Sequence, residues 1–190
     1  MVRKIAFVMT IFFFSLPVLA ADFTADSHVV SNGQTKEAVF YFAGNKWRMN
    51  ENTPQGRRAT IFRTDTKTLT ILWPDSKLYI TQPVPDSEYT MLKSLKPGKE
   101  LQRTRLGKET ISGYPTVKYR AKYEFRGKQF TAIEWYSKDL GVAIKSVADD
   151  NTRRAELNHI KKIKLSNKIF EVPPDYHPVT KNNLMKIKPK

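Results

Sequence analysis

From Thr116 to Arg126 apolar and charged side chains take turns: Val117, Tyr119, Ala121, Tyr123 and Phe125 alternate with Lys118, Arg120, Lys122, Glu124 and Arg126. A period of two fits an extended strand with one face buried and the other in water. Arg126-Gly127-Lys128 then reads as a tight turn into a second strand, Gln129 to Tyr136, in which Phe130, Ile133, Trp135 and Tyr136 supply the aromatic and β-branched content that strands favour. The same pattern recurs upstream. Strand-like segments at Phe23 to Val30, Glu37 to Ala43, Lys46 to Glu51, Ala59 to Arg63, Thr68 to Trp73 and Lys77 to Thr81 are separated by turn-forming residues such as Ser31-Asn32-Gly33, Gly44-Asn45 and Pro74-Asp75-Ser76. Val142 to Ala148 and Thr152 to Leu165 follow around Asp149-Asp150-Asn151. Connections this short join antiparallel neighbours.

One interval breaks the rhythm. Between Pro85 and Pro97, Tyr89, Leu92 and Lys96 with Met91 and Leu95 show three- and four-residue spacing, Asp86 or Ser87 can cap the start, and Pro97-Gly98 stops the run. The last strand slips phase between Leu157 and Ile160, which predicts a bulge or bend near His159. The expected fold is mainly β: roughly ten strands in a single curled antiparallel sheet, a half-open barrel covering one or two helices, spanning residues 21–178. Residues 179–190 read as a basic, disordered tail.

The first twenty residues read as a secretory leader: Arg3 and Lys4, an apolar run from Ile5 to Phe14 broken only by Thr10, then Val18 and Ala20 before a cut at Ala21. The run is nearer the ~10 residues of a leader than the ~20 a membrane span needs. No cysteine follows, so a lipid cannot be attached to an N-terminal thiol, and disulfides and cysteine-ligated metals are excluded with it. A soluble protein of the periplasm is expected. Its 33 basic residues against 18 acidic ones give a formal charge of +15, which favours anionic partners. Export makes those partners an anionic membrane surface, a lipid headgroup or an acidic envelope protein, with no role for nucleic acid.

Residues for catalysis are scarce. The three histidines, His28, His159 and His177, lie in no nucleophile or metal motif. Asp149-Asp150 beside Asn151 reads as a turn before it reads as a cation site. Gly107-Lys108-Glu109 lacks the upstream glycine and the hydroxyl residue of a phosphate loop. No cofactor and no metal is expected, and the chain reads as a non-enzyme.

What the sequence has in surplus is large apolar side chains. If one helix does not fill the concave side of so wide a sheet, Phe40, Phe42, Trp47, Met49, Ile61, Leu69, Ile71, Leu78, Met91, Leu92, Leu95, Tyr119 and Trp135 would line an apolar cavity for a hydrophobic ligand. The alternative is that they interdigitate into a closed core. The charged face of the hairpin, with Lys118, Arg120, Lys122, Arg126 and Lys128, would meet anionic headgroups or an acidic partner, or simply stay solvated and guard the sheet against edge pairing.

Five stretches carry a family resemblance. Residues 106–119, Leu-Gly-Lys-Glu-Thr-Ile-Ser-Gly-Tyr-Pro-Thr-Val-Lys-Tyr, together with 44–49, 73–79, 135–142 and 170–176, resemble a bacterial envelope family of unknown function related to the LolA/LolB-like lipoprotein-carrier superfamily. That resemblance implies an open half-barrel wrapped on helices, with a hydrophobic concavity that holds acyl chains in the carriers. The leading expectation is therefore an exported protein that binds a lipid or acyl chain, in lipid or lipoprotein transport. An envelope sensor or protein-interaction module on the same fold is the alternative, and a hydrolase the least favoured.

Overall fold

The computed structural model describes residues 21–180 and Asn183. The expected leader at residues 1–20 and most of the basic tail lie outside the described residues.

Twelve strands form one sheet: β1 (Phe23–Ser31), β2 (Gln34–Ala43), β3 (Lys46–Thr53), β4 (Gly56–Arg63), β5 (Thr68–Trp73), β6 (Leu78–Pro83), β7 (Lys99–Ile111), β8 (Tyr114–Phe125), β9 (Lys128–Ser137), β10 (Val142–Ala148), β11 (Arg153–Lys162) and the two-residue β12 (His177–Pro178). A nine-residue α-helix, α1 (Asp86–Ser94), sits between β6 and β7, and a 3-10 turn spans Asn167–Phe170. The strand order is β12-β6-β5-β4-β3-β2-β1-β11-β10-β9-β8-β7. Two meanders thus grow outward from a central β1–β11 pair, whose register sets Phe23 opposite Lys162 and Ser31 opposite Arg153. Every neighbouring pair is antiparallel except β12 against β6.

Turn chemistry sets the hairpins. Asn32 (φ 50°) and Gly33 (φ 76°) both take left-handed conformations at the β1–β2 reversal, the combination that matches strand twist. Arg126 (φ 52°) and Gly127 (φ 75°) do the same at β8–β9. The phase slip in β11 is a bulge: opposite Thr24 and Asp26 the partners step from Lys161 to Asn158, and His159 is at φ 47°. Ile160 and Leu157 can then both face the core, as the curled sheet requires.

Both faces of the sheet carry apolar clusters, a correction to the single apolar face read from the sequence. On one side α1 packs over Phe23, Ala25, Phe40, Phe42, Trp47, Phe62, Val142 and Ile144. On the other, the chain after β11 returns across β3 and β4, and Phe170, 2% exposed, seals Ala59, Ile61 and Leu72. Ile61 belongs to this second cluster, because the period of two turns it away from Phe62. The thirteen-residue β7 is a strand that the sequence pattern does not announce. Its sequence, KELQRTRLGKETI, has little apolar alternation because it is an edge, exposed at most positions and interrupted by register shifts at Glu100/Gln102 and Arg105/Gly107.

Candidate functional site

The α1 face is built on aromatic rings. Phe23, Phe40, Phe42, Trp47 and Phe62 come from β1, β2, β3 and β4, where register places Phe23 opposite Phe42, Phe42 opposite Trp47 and Trp47 opposite Phe62. Their centroids follow one another at 5.3 Å (Phe23–Phe42), 6.3 Å (Phe40–Phe42 and Phe40–Trp47) and 5.7 Å (Trp47–Phe62). Offset ring pairs at such spacings contribute beyond simple burial. All five are at most 7% exposed.

Over this floor lies a thin cover. The helix has Asp86 and Glu88 in its first turn and Lys93 in its last, charges that suit the helix dipole, but it lacks a side-chain N-cap. Leu95 ends it at φ 53°, where the N–H groups of Leu95 and Lys96 return to the carbonyls of Leu92 and Met91. Tyr89, Leu92 and Leu95 point to the floor, with the Tyr89 ring 6.1 Å from that of Phe62. The Trp47 Nε1–H donates to the Leu92 carbonyl at 2.9 Å. Yet no residue of α1 is buried. Nine residues are too few to hold a helix in water unaided, so α1 is helical because the floor supports it.

Of the residues expected to line a cavity, Phe40, Phe42, Trp47, Met49, Leu69, Leu92 and Leu95 do converge here. Ile71, Leu78 and Met91 are half-buried outside that cluster. Tyr119 instead lies under the Arg103 guanidinium, 4.7 Å from its ring, and Trp135 packs beneath Lys118 and Lys145 while its Nε1–H donates to Glu109 at 2.7 Å. The five floor rings are nearly inaccessible. The recess near the end of α1, between Pro97 and Phe130, amounts to about 10 Å³, room for one water at most.

Beside the floor sits a charge network that sequence reading missed, since its members are scattered from Lys96 to Glu134 with no motif. Glu134, 3% exposed, accepts from the Tyr123 hydroxyl at 2.7 Å and from Arg103 at 2.8 Å. Arg103 also donates to Glu100 at 2.7 Å, and Lys96, in the segment that follows α1, pairs with Glu100 at 2.8 Å. Two carboxylates and two cations balance, and the network fastens edge strand β7 and the end of the α1 segment to β8 and β9. Burial pushes the Tyr123 phenol up, and the Glu134 carboxylate beside it adds to the shift. At Glu100 burial disfavours the charge, but the hydrogen bonds from Arg103 and Lys96 outweigh it and hold the carboxyl down at about 2. Because the folded value lies below the ordinary 4.5, the stabilisation is complete above about 4.5 and is lost as pH falls toward 2. Acid unfolding followed by circular dichroism should therefore begin in that window, and Glu100→Gln should flatten the slope there.

The remaining expected features take separate places. Lys118 is 3.4 Å from Glu109, whereas Arg120, Lys122 and Lys128 are exposed and Arg126 stacks over Phe125 at 5.1 Å. Asp150 accepts from the backbone and hydroxyl of Thr152, which makes the expected turn. His28 faces Glu37 at 3.5 Å, His159 faces Asp26 at 2.8 Å, and His177 lies in β12. Among the described residues no three His, Asp or Glu side chains gather as metal ligands.

A single curled antiparallel sheet with a helix laid over an aromatic floor makes an open half-barrel of the described residues. The chain belongs to the family described as "Domain of unknown function (DUF4412)", whose model matches residues 27–143. Among curated proteins none matches the sequence. Solved structures with a similar fold include an uncharacterized conserved protein from Thermus thermophilus, at 12% identity over 85% of this chain and 91% of that one, with a TM-score of 0.56. The Pseudomonas aeruginosa MucA/MucB complex matches at 12% identity over 86% of this chain, with a TM-score of 0.55. This chain spans 60% of the length of the chain matched there. A putative outer membrane lipoprotein-sorting protein domain from Vibrio parahaemolyticus matches at 13% identity, covering 88% and 92% of the two chains, with a TM-score of 0.38. At these identities the likeness is one of fold.

Proposed function

We propose that the protein is an exported, non-enzymatic component of the cell envelope that binds a hydrophobic ligand, a lipid or an acyl chain, between α1 and the aromatic floor. The observation that supports this reading is the mismatch between cover and floor: five neighbouring rings, each nearly inaccessible, are capped by nine residues of which none is buried. Tyr89, Leu92 and Leu95 already keep part of their surface in water, so lifting them costs less than opening a fully packed core. An acyl chain that replaced them would regain about 0.8 kcal/mol for each buried methylene.

Native mass spectrometry of gently purified protein should show lipid-sized adducts, and added lipid should displace a fluorescent fatty-acid probe. Absence of both would remove the reading. Trp47→Phe, which deletes the bond to the Leu92 carbonyl, should loosen α1 by about 1 kcal/mol. Amide exchange across residues 88–96 would then quicken several-fold while β2 stays unchanged.

A second reading, a protein-interaction module of the envelope, draws on the similarity of fold to a protein solved as the MucA/MucB complex. Crosslinking in cells separates the two. One dominant protein partner with blank lipid assays would favour interaction over lipid binding.

A further inference from the structure

A recess of the sheet that lies away from α1 is lined by charged and apolar groups alike. It measures about 660 Å³ and runs over β1, β2, β3 and β4, with Arg48 among the residues that line it. That volume falls in the range of small-molecule sites.

Charges around the recess are paired with one exception. Arg57 binds Asp75 at 2.6 Å, and Arg58 binds Glu51 at 2.8 Å. His28 stands against Glu37 and His159 against Asp26. Arg48 forms no ion pair among the described residues; the ionisable groups it senses most are the phenols of Tyr41 and Tyr176. It is half-buried, and burial lowers its affinity for its proton. A desolvated guanidinium without a counter-charge is costly, and a structure keeps one where something else supplies the charge.

Its orientation is fixed. The Nε–H donates to Asn50 Oδ1 at 2.7 Å, and one terminal nitrogen donates to the Ile169 carbonyl at 2.9 Å, which ties the group to the returning C-terminal segment. A guanidinium has five N–H donors, so three remain, two of them on the second terminal nitrogen. A planar donor edge held in place is suited to two oxygens of a phosphate or carboxylate.

We infer that this recess is a second binding site, one for a small ligand carrying a phosphate group whose oxyanion takes the free edge of Arg48. Asn158 and Tyr176, which also line the recess, supply polar groups for the remainder of the ligand. The site lies apart from α1, so it stands or falls independently of acyl binding.

Calorimetric titration with sn-glycerol 3-phosphate tests it. The unaltered protein should bind, and Arg48→Met should weaken binding at least tenfold. Lys99→Met, which removes an exposed cation at the far edge of the sheet, should leave it unchanged. Because Arg48 also anchors Ile169, Asn50→Asp serves as the second variant: it keeps the anchor and places a carboxylate on the Nε, and it should abolish binding without loss of fold. Cosedimentation with phosphatidylglycerol vesicles separates the sources, an Arg48-dependent pellet assigning a lipid headgroup and its absence, with intact solution binding, a soluble phosphate ester. No binding at millimolar ligand, undiminished binding by both site variants, or an equal loss in Lys99→Met would overturn the assignment. Displacement of the fatty-acid probe should be the same in all of these variants.

Discussion

Glu134→Ala should destabilise the protein by about 1–3 kcal/mol, because the buried Tyr123 hydroxyl loses its acceptor and Arg103 keeps only Glu100 as its counter-charge. The side chain is 3% exposed, so bulk water does not compete for its partners. Glu134→Gln keeps the volume and one acceptor and should cost less. Urea unfolding at neutral pH measures both, with the slope unchanged if only stability has moved. A double-mutant cycle with Arg103→Ala should return a coupling above about 1 kcal/mol, since the two groups share one network. Simultaneous replacement of Arg103 and Glu134 by apolar residues of similar size should recover most of the loss. If Glu134→Ala alone proved nearly neutral, the network would be ornamental and β7 would be held by its ladder.

Phe62→Ala is expected to cost more, about 3–5 kcal/mol, for a different reason. The ring is 0% exposed and bridges Trp47 and Tyr89, so truncation leaves a void directly under α1. An apolar void that stays dry accepts apolar guests. The same variant should therefore lose stability yet gain affinity for a small hydrophobic probe, a combination that a purely structural ring would not produce. Thermal unfolding with and without the probe distinguishes the two.

The strands were legible wherever one face was buried. β5 and β10 fall on the residues that alternation and turns predict, and the bulge at His159 follows from a slip in apolar phase. β7 was not legible, because an edge strand that is exposed on most of its length has no apolar period to read. The assignment of apolar residues to one cavity failed for Ile61 and Trp135 on the same principle: neighbouring positions on a strand point to opposite faces, and the sequence does not mark which face α1 will take. That Phe170 would cover the second face could not be seen either, since it follows an irregular segment with no period of its own. The charge network was hidden for a further reason. Lys96, Glu100, Arg103, Tyr123 and Glu134 meet only through the registers of β7, β8 and β9, and a spacing set by several registers has no linear signature.

Hydrogen exchange across α1, with and without palmitate, tests the lid most directly. If α1 is a movable cover, amides from residues 88–96 exchange much faster than those of β2 and β3 in the free protein, and palmitate alters protection in α1 and in the strands bearing Phe40, Phe42 and Trp47. Exchange in α1 as slow as in β2, with palmitate leaving every amide unchanged, would contradict it.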